Sequence, residues 1–207
     1  GRRPCPLEEM EGRVLISVIM LTYNREALVS RAIESILTQT CRDFEFVIVD
    51  NGSADKSGEI ADAYAAKDPR VRVIHRERGN IGAGRNTGLD AARGEYVTFI
   101  DDDDWAEPDF LEFLLTLLEE NGADVAICGA ADKAFDEKKL MGPEEALIEL
   151  MWRKKYNMAF PTKLFRRELM ETLRFPEEWS YDDIALMYLL LASAKRVAWH
   201  GLPKYTF

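Results

Sequence analysis

Apolar residues come in short, nearly unbroken runs separated by polar breaks and by stretches of helical spacing. Leu15–Leu21 (LISVIML), Phe44–Val49 (FEFVIV), Val71–His75 (VRVIH), Tyr96–Ile100 (YVTFI) and Asp124–Cys128 (DVAIC) are β-rich. Runs this continuous suit strands buried on both faces, as in parallel sheets. Between them, residues from Arg25 onward place Ala27, Leu28, Ala32, Ile33, Ile36 and Leu37 on one helical face, with Asn24 in the N-cap position. Residues 55–66 also read as a helix. A glycine-rich stretch, Gly79–Gly84, leads into a short helix ending at Ala92. A further helix starts at Pro108 and ends near Asn121-Gly122. Strand–helix alternation over residues 14–128 predicts right-handed βαβ units in a Rossmann-like, mostly parallel α/β sheet flanked by helices. Beyond residue 130 the pattern becomes helical and less regular (143–152, 166–173, 182–194), and Arg196–Trp199 reads as a strand returning to the sheet. This organisation predicts one domain over residues 1–207, with a ligand-binding half at 14–130 and a second half at 131–207.

Composition narrows the class. Of the 207 residues, 47% are hydrophobic and 31% charged, a globular balance that excludes disordered and collagen-like chains. The longest charge-free apolar stretches, Val14–Asn24 and Ile184–Ala194, fall short of the roughly 20 residues that span a bilayer. Gly1–Arg13 is polar and carries Pro4 and Pro6, unlike a secretory signal. Cys5, Cys41 and Cys128 are an odd set without CxxC spacing. They predict neither a disulfide frame nor a zinc cluster and fit a reducing, cytoplasmic compartment. The net charge of −10 disfavours nucleic acid as a partner. With that charge, a phosphorylated ligand needs a cation to supply part of the positive charge.

In open parallel sheets ligands bind beyond the carboxyl ends of the strands. Three polar groups fall there: Thr22-Tyr23-Asn24, Asp50-Asn51 and Asp101–Asp104. Four adjacent carboxylates repel one another, and a hard divalent ion offsets that cost while keeping phosphate or water as its other ligands. Glycines 79, 82, 84 and 88 match no dinucleotide or P-loop fingerprint. They fit equally a loop that brings Arg85 close to the sheet and one that touches phosphate directly. His75 and His200 read as surface or packing residues. Asp182-Asp183 open a helix, where carboxylates also serve simply as caps against the macrodipole.

These segments together resemble the family-2 glycosyltransferases, inverting enzymes of the GT-A fold that use nucleotide-sugar donors. The resemblance rests on SVIMLTYNRE at 17–26, FVIVDNGSADKS at 46–57, GAGRNTGLDAARGEYVTFIDDDDW at 82–105, PTKLFRREL at 161–169 and RFPEEWSYDD at 174–183. It implies that Thr22 and Tyr23 line the nucleobase pocket, that Asp50 hydrogen-bonds the base, normally uracil, and that Arg85 lies near base or diphosphate. It implies that Asp101 and Asp103 are the acids of a DxD motif, Asp101 toward ribose and Asp103 on Mn²⁺ or Mg²⁺. Asp102 joins the nucleotide-sugar site and Asp104 supports the others. Asp183 is then the catalytic base, with Asp182 as its pair-mate. The sequence departs from the family at Asn51, where a second Asp is common, and at Asp182, where Glu is usual.

The function this implies is metal-assisted transfer of a sugar from a UDP-sugar to an acceptor hydroxyl, as in polysaccharide biosynthesis. The acceptor class is a glycan or a lipid-linked molecule, which suggests action at the cytoplasmic membrane face. Many relatives continue past this point, compatible with Gly1–Phe207 being a catalytic piece of a longer protein whose further parts meet acceptor or membrane. Two rivals stay open: a non-catalytic nucleotide-sugar-binding module, and a sugar-1-phosphate nucleotidyltransferase. The latter needs a basic glycine-rich loop after the first strand, where this chain has Thr22-Tyr23-Asn24.

Overall fold

A computed structural model describes residues 14–131, 135–178 and 182–207. In chain order the elements are β1 (Ile16–Thr22), α1 (Val29–Leu37), β2 (Phe44–Asp50), α2 (Ser57–Ala65), β3 (Val71–His75), α3 (Ile81–Ala91), β4 (Tyr96–Asp101), β5 (Trp105–Ala106), α4 (Phe110–Glu120), β6 (Val125–Ala130), β7 (Lys138–Met141), α5 (Pro143–Trp152), β8 (Lys163–Arg166), α6 (Leu169–Thr172), α7 (Asp182–Ser193) and β9 (Val197–Thr206). Among the described residues the strands form one sheet in the order β3-β2-β1-β4-β8-β6-β9-β5, with β7 also on β9. The long ladders β3-β2-β1-β4 and β6-β9 are parallel. Strand β8 enters antiparallel between β4 and β6.

The apolar runs are continuous because both faces of the sheet are covered. Ile16, Val18 and Met20 of β1 join Phe44, Phe46 and Ile48 of β2 in one core, roofed by α1, α2 and α4. Ile19, Val47, Val49, Val97 and Phe99 point the other way, into a core closed by α3, α5, α6 and α7. The period of two along each strand thus feeds two cores at once.

Several local expectations change. Helix α1 begins at Val29, and Asn24 is no cap. It has φ +52°, and its side chain accepts the Ala54 N–H at 2.8 Å, tying the β1 end to the loop after β2. The glycine stretch is no loop beyond Asn80: α3 starts at Ile81, capped by the Asn80 side chain on the Ala83 N–H. The second half is less helical than its periodicity suggests, since β7, β8 and β9 all belong to the sheet. The helix expected over 166–173 reduces to the single turn α6, following β8.

Candidate active site

Parallel strands β1, β2 and β4 end together, and the chain there opens into a cavity of about 520 Å³, within the usual range of ligand sites. Its wall includes Tyr23 and Arg25 after β1, Asn51 after β2, Arg78 to Asn80 ahead of α3, Ile81 and Arg85 on α3, Asp101 at the end of β4, and Asp102 and Asp103 beyond it. At one end the Arg78 guanidinium lies 4.7 Å from the Tyr23 ring centre, making a flat aromatic-cation wall. Asp101, Asp102 and Asp103 line the cavity as well.

Each acid of the tetrad has its own surroundings. Asp102 accepts the Tyr23 N–H at 3.2 Å and faces Arg25 Nε at 3.7 Å. Burial pushes its carboxyl up, opposed by the Tyr23 N–H and the Arg25 charge. Asp103 turns outward, its side chain 45% exposed, while Arg31 of α1 holds its main-chain carbonyl at 2.7 Å. Asp104 is buried and accepts the Tyr205 hydroxyl at 2.8 Å. The same hydroxyl accepts the Asp101 N–H at 3.1 Å, so β9 fixes both ends of the tetrad. Burial, reinforced by Asp101, Asp103 and Asp102, pushes the Asp104 carboxyl up to about 6, against the Tyr205 bond.

No group of three ligands converges on a preformed metal site among the described residues. Asp102 and Asp104 are engaged in protein hydrogen bonds and Asp101 by Arg85, so Asp103, 3.7 Å from Arg25 Nε, is the most exposed of the acids lining the cavity. One or two carboxylates completed by phosphate oxygens and water is how Mg²⁺-type ions are usually held. The residues therefore fit a cation that arrives with a diphosphate.

Arg85 connects the acidic turn to the second half. One guanidinium nitrogen donates to Asp101 Oδ1 at 3.3 Å and the other to Asp183 Oδ1 at the start of α7. Its side chain is only 9% exposed and lies against the rings of Phe160 and Phe175. Next to it, Asn86 clamps the approach to α7: its amide donates to the Phe175 carbonyl at 2.9 Å and accepts the Phe175 N–H at 3.0 Å.

The expected site residues thus separate. Tyr23, Arg85, Asp101, Asp102 and Asp103 share the cavity, and Asp183 joins them through Arg85. Thr22 is fully buried behind the wall. Asp50 lies beneath it, with Oδ1 accepting the Ser53 N–H and Oδ2 at 3.0 Å from His75 Nδ1. His75 also reaches Asp62 at 3.0 Å, and the two carboxylates, Asp50 foremost, raise its affinity for a proton. His75 therefore keeps the structural role expected of it. The residue after β2 that does face the cavity is Asn51, whose amide pins Gly79 through both its N–H and its carbonyl. Asp182 opens α7, but its side chain lies outside the described residues, as do residues 179–181 of the RFPEEWSYDD segment. Sequence reasoning missed Arg25 and Tyr205. Tyr205 carries no local signal, since it meets Asp104 only through the long return of β9.

A mixed sheet with this strand order and an acidic turn beyond β4 defines a GT-A glycosyltransferase fold. Residues 17–175 match the model of glycosyl transferase family 2, and the chain belongs to that family. It is 38% identical to the putative glycosyltransferase EpsH of Bacillus subtilis (strain 168), over 93% of this chain and 60% of that protein. It is 36% identical to the glycosyltransferase GlyG of Streptococcus pneumoniae serotype 4, over 86% of this chain and 66% of that protein. The chain spans somewhat over half the length of the curated relatives it matches. Among solved structures, Staphylococcus aureus TarS 1-349 in complex with UDP-GlcNAc superposes with a TM-score of 0.81 at 26% identity, covering 93% of this chain and 58% of that one. No helix among the described residues is long and apolar enough to cross a membrane.

Proposed function

We propose that this chain catalyses inverting transfer of a sugar from a UDP-sugar to an acceptor hydroxyl, assisted by a divalent cation. The observation that carries the reading is the Arg85 bridge. It brings a carboxylate of the second half, Asp183, beside a cavity whose floor is the acidic turn. Nucleotide-sugar binding is supported by the relation to TarS, which was solved with UDP-GlcNAc.

In this reading the uracil lies at the Tyr23–Arg78–Asn51 end and the diphosphate at the acidic end. Asp103 holds Mn²⁺ or Mg²⁺, with Asp101 toward the ribose and Asp102 and Asp104 shaping the turn. The cation supplies Lewis-acid stabilisation of the departing diphosphate. Asp50 acts from beneath: by holding the Ser53 N–H it fixes the turn that presents Asn51. Asp183 takes the acceptor's proton as the hydroxyl attacks the anomeric carbon from the face opposite UDP. A positioned base is worth about 10²–10⁴ in rate. The glycan or lipid-linked acceptor approaches from the second half of the chain.

The test is sugar transfer and UDP release from UDP-GlcNAc with Mn²⁺, using the unaltered protein and Asp183→Asn. Loss of transfer by that factor with UDP binding retained supports the reading. Undiminished transfer in the variant returns Asp183 to a helix-capping role.

A further inference from the structure

Arg85 is placed between two anions that belong to different parts of the reaction. Its guanidinium carries five N–H donors in a planar fork. One arm is on Asp183 and the other on Asp101, and the residue itself lines the cavity. Its position is rigid. Helix α3 is drawn onto the sheet at Gly84 and Gly88, where an added Cβ would lie 2.3 Å from a Leu21 methyl and 2.4 Å from an Ile19 methyl. Phe160 and Phe175 wall the guanidinium in. A diphosphate entering beside Asp101 therefore meets a cation whose charge is already committed to carboxylates, in surroundings dry enough for that charge to matter.

We propose that Arg85 is a positioning residue shared between Asp183 and the donor's diphosphate, so that donor occupancy and the basicity of Asp183 are coupled. Before a donor binds, the guanidinium stabilises the Asp183 carboxylate and makes it a poor proton acceptor. When diphosphate draws on the same charge, the hold on Asp183 weakens and its basicity rises. The base is then strongest when a donor is present, which disfavours premature proton abstraction. Linkage is reciprocal: if donor binding disfavours the Asp183 charge, that charge disfavours donor binding to the same extent, and removing it tightens the donor. The proposal rests on the donor-site and base assignments above.

The test is a double-mutant cycle on UDP affinity in Mn²⁺, read by calorimetry, with Asp183→Asn, Arg85→Gln and the double variant. Asp183→Asn releases Arg85 to the diphosphate and is expected to tighten UDP about fivefold or more. Arg85→Gln is expected to weaken UDP by at least about tenfold. In the Arg85→Gln background, Asp183→Asn should leave affinity unchanged within about twofold, because there is no shared cation to release. Equal tightening in both backgrounds means simple repulsion between Asp183 and phosphate and overturns the proposal, as does no tightening at all. Should Arg85→Gln fail its melting curve, Arg85→Lys takes its place. Lysine keeps one charge but loses the fork, so the Asp183→Asn effect should shrink, and a full-sized effect overturns the sharing. The two readings fail differently. If Asp183 is not the base, transfer survives Asp183→Asn whatever the binding cycle shows. If only the sharing is wrong, transfer is lost while the binding effects simply add.

Discussion

Asp104→Asn is expected to stabilise the metal-free protein at neutral pH and to do nothing for it in acid. Asp104 is buried beside three other carboxylates, and its carboxyl is pushed from an ordinary 3.8 up to about 6. Between those values the folded state keeps the proton that the unfolded chain gives up. Stability from this group is therefore greatest in acid and falls as pH rises from about 4 through 6, after which the full cost is in place. A shift of about two units corresponds to about 3 kcal/mol. Asparagine keeps a carbonyl oxygen to accept the Tyr205 hydroxyl and removes the charge. Relative to the unaltered protein, the variant should gain about 2–3 kcal/mol in chelator at pH 7.5 and nothing at pH 4. At neutral pH that is a rise in Tm of roughly 5–10 °C for a chain of this size. Paired denaturant and thermal unfolding curves at both pH values measure it. Saturating Mn²⁺ should shrink the gain, since a cation at Asp103 offsets the same repulsion. A variant less stable at pH 7.5, or a difference that does not vary with pH, refutes the account of the acidic turn.

Other consequences can be checked separately. UDP affinity by calorimetry should fall steeply when Mn²⁺ is chelated, and Asp103→Asn with the ion present should match the chelated protein; equal affinity in both conditions removes the metal assignment. Tyr205→Phe leaves the buried Asp101 N–H and Asp104 without their shared partner and should cost about 2–4 kcal/mol in unfolding measurements, with weaker UDP binding as its functional mark. The Asp50–His75–Asp62 bridge has a raised imidazole, so its contribution is complete below pH 6.5 and lost as pH climbs through that raised value. His75→Gln should therefore cost more stability at pH 6 than at pH 8.5, and a pH-independent cost means the charge contributes nothing.

The strands that carry the cavity were legible because burial on two faces leaves an unmistakable apolar run, and the residues closing β1, β2 and β4 follow from where those runs stop. Strand β8 was not legible. Its four residues include Lys163, fully buried with Nζ donating to the Ala159 carbonyl at 2.6 Å, and Arg166 at the other end. A buried lysine breaks the apolar signature, while the following RRELMETL has helical spacing, so only a helix over 166–173 is read there. Strand β5 has only two residues and exists because β9 offers it a ladder. At the β2 end Asn51 lines the cavity and Asp50 does not. Both close β2, and strand alternation sends successive side chains in opposite directions. Only packing against His75 and Gly58 decides which of them is turned from the cavity: a Cβ on Gly58 would lie 2.6 Å from Asp50 Oδ2.

The GAGRNTG segment at 82–88 shows how a local string encodes a long-range constellation. Every position but Ala83 and Thr87 is set by something distant in sequence. Gly82 passes the Pro176 carbonyl so closely that a Cβ would sit 2.2 Å from its oxygen. Gly84 and Gly88 bring the helix onto β1, Arg85 reaches Asp183, and Asn86 binds the main chain of Phe175 on both sides. The segment thus ties β1 to Phe175, Pro176 and Asp183. Gly82→Ala tests this without touching a charged group. The new methyl meets main chain rather than a movable side chain, so the 175–178 segment must shift away from α3. Overpacking of this kind costs about 1–3 kcal/mol. Because Asp183 follows that segment, the displacement should also reduce sugar transfer well beyond any change in UDP affinity. A variant that melts lower but transfers normally would show that Asp183 is placed by α7 packing alone, and that Gly82 serves only the core.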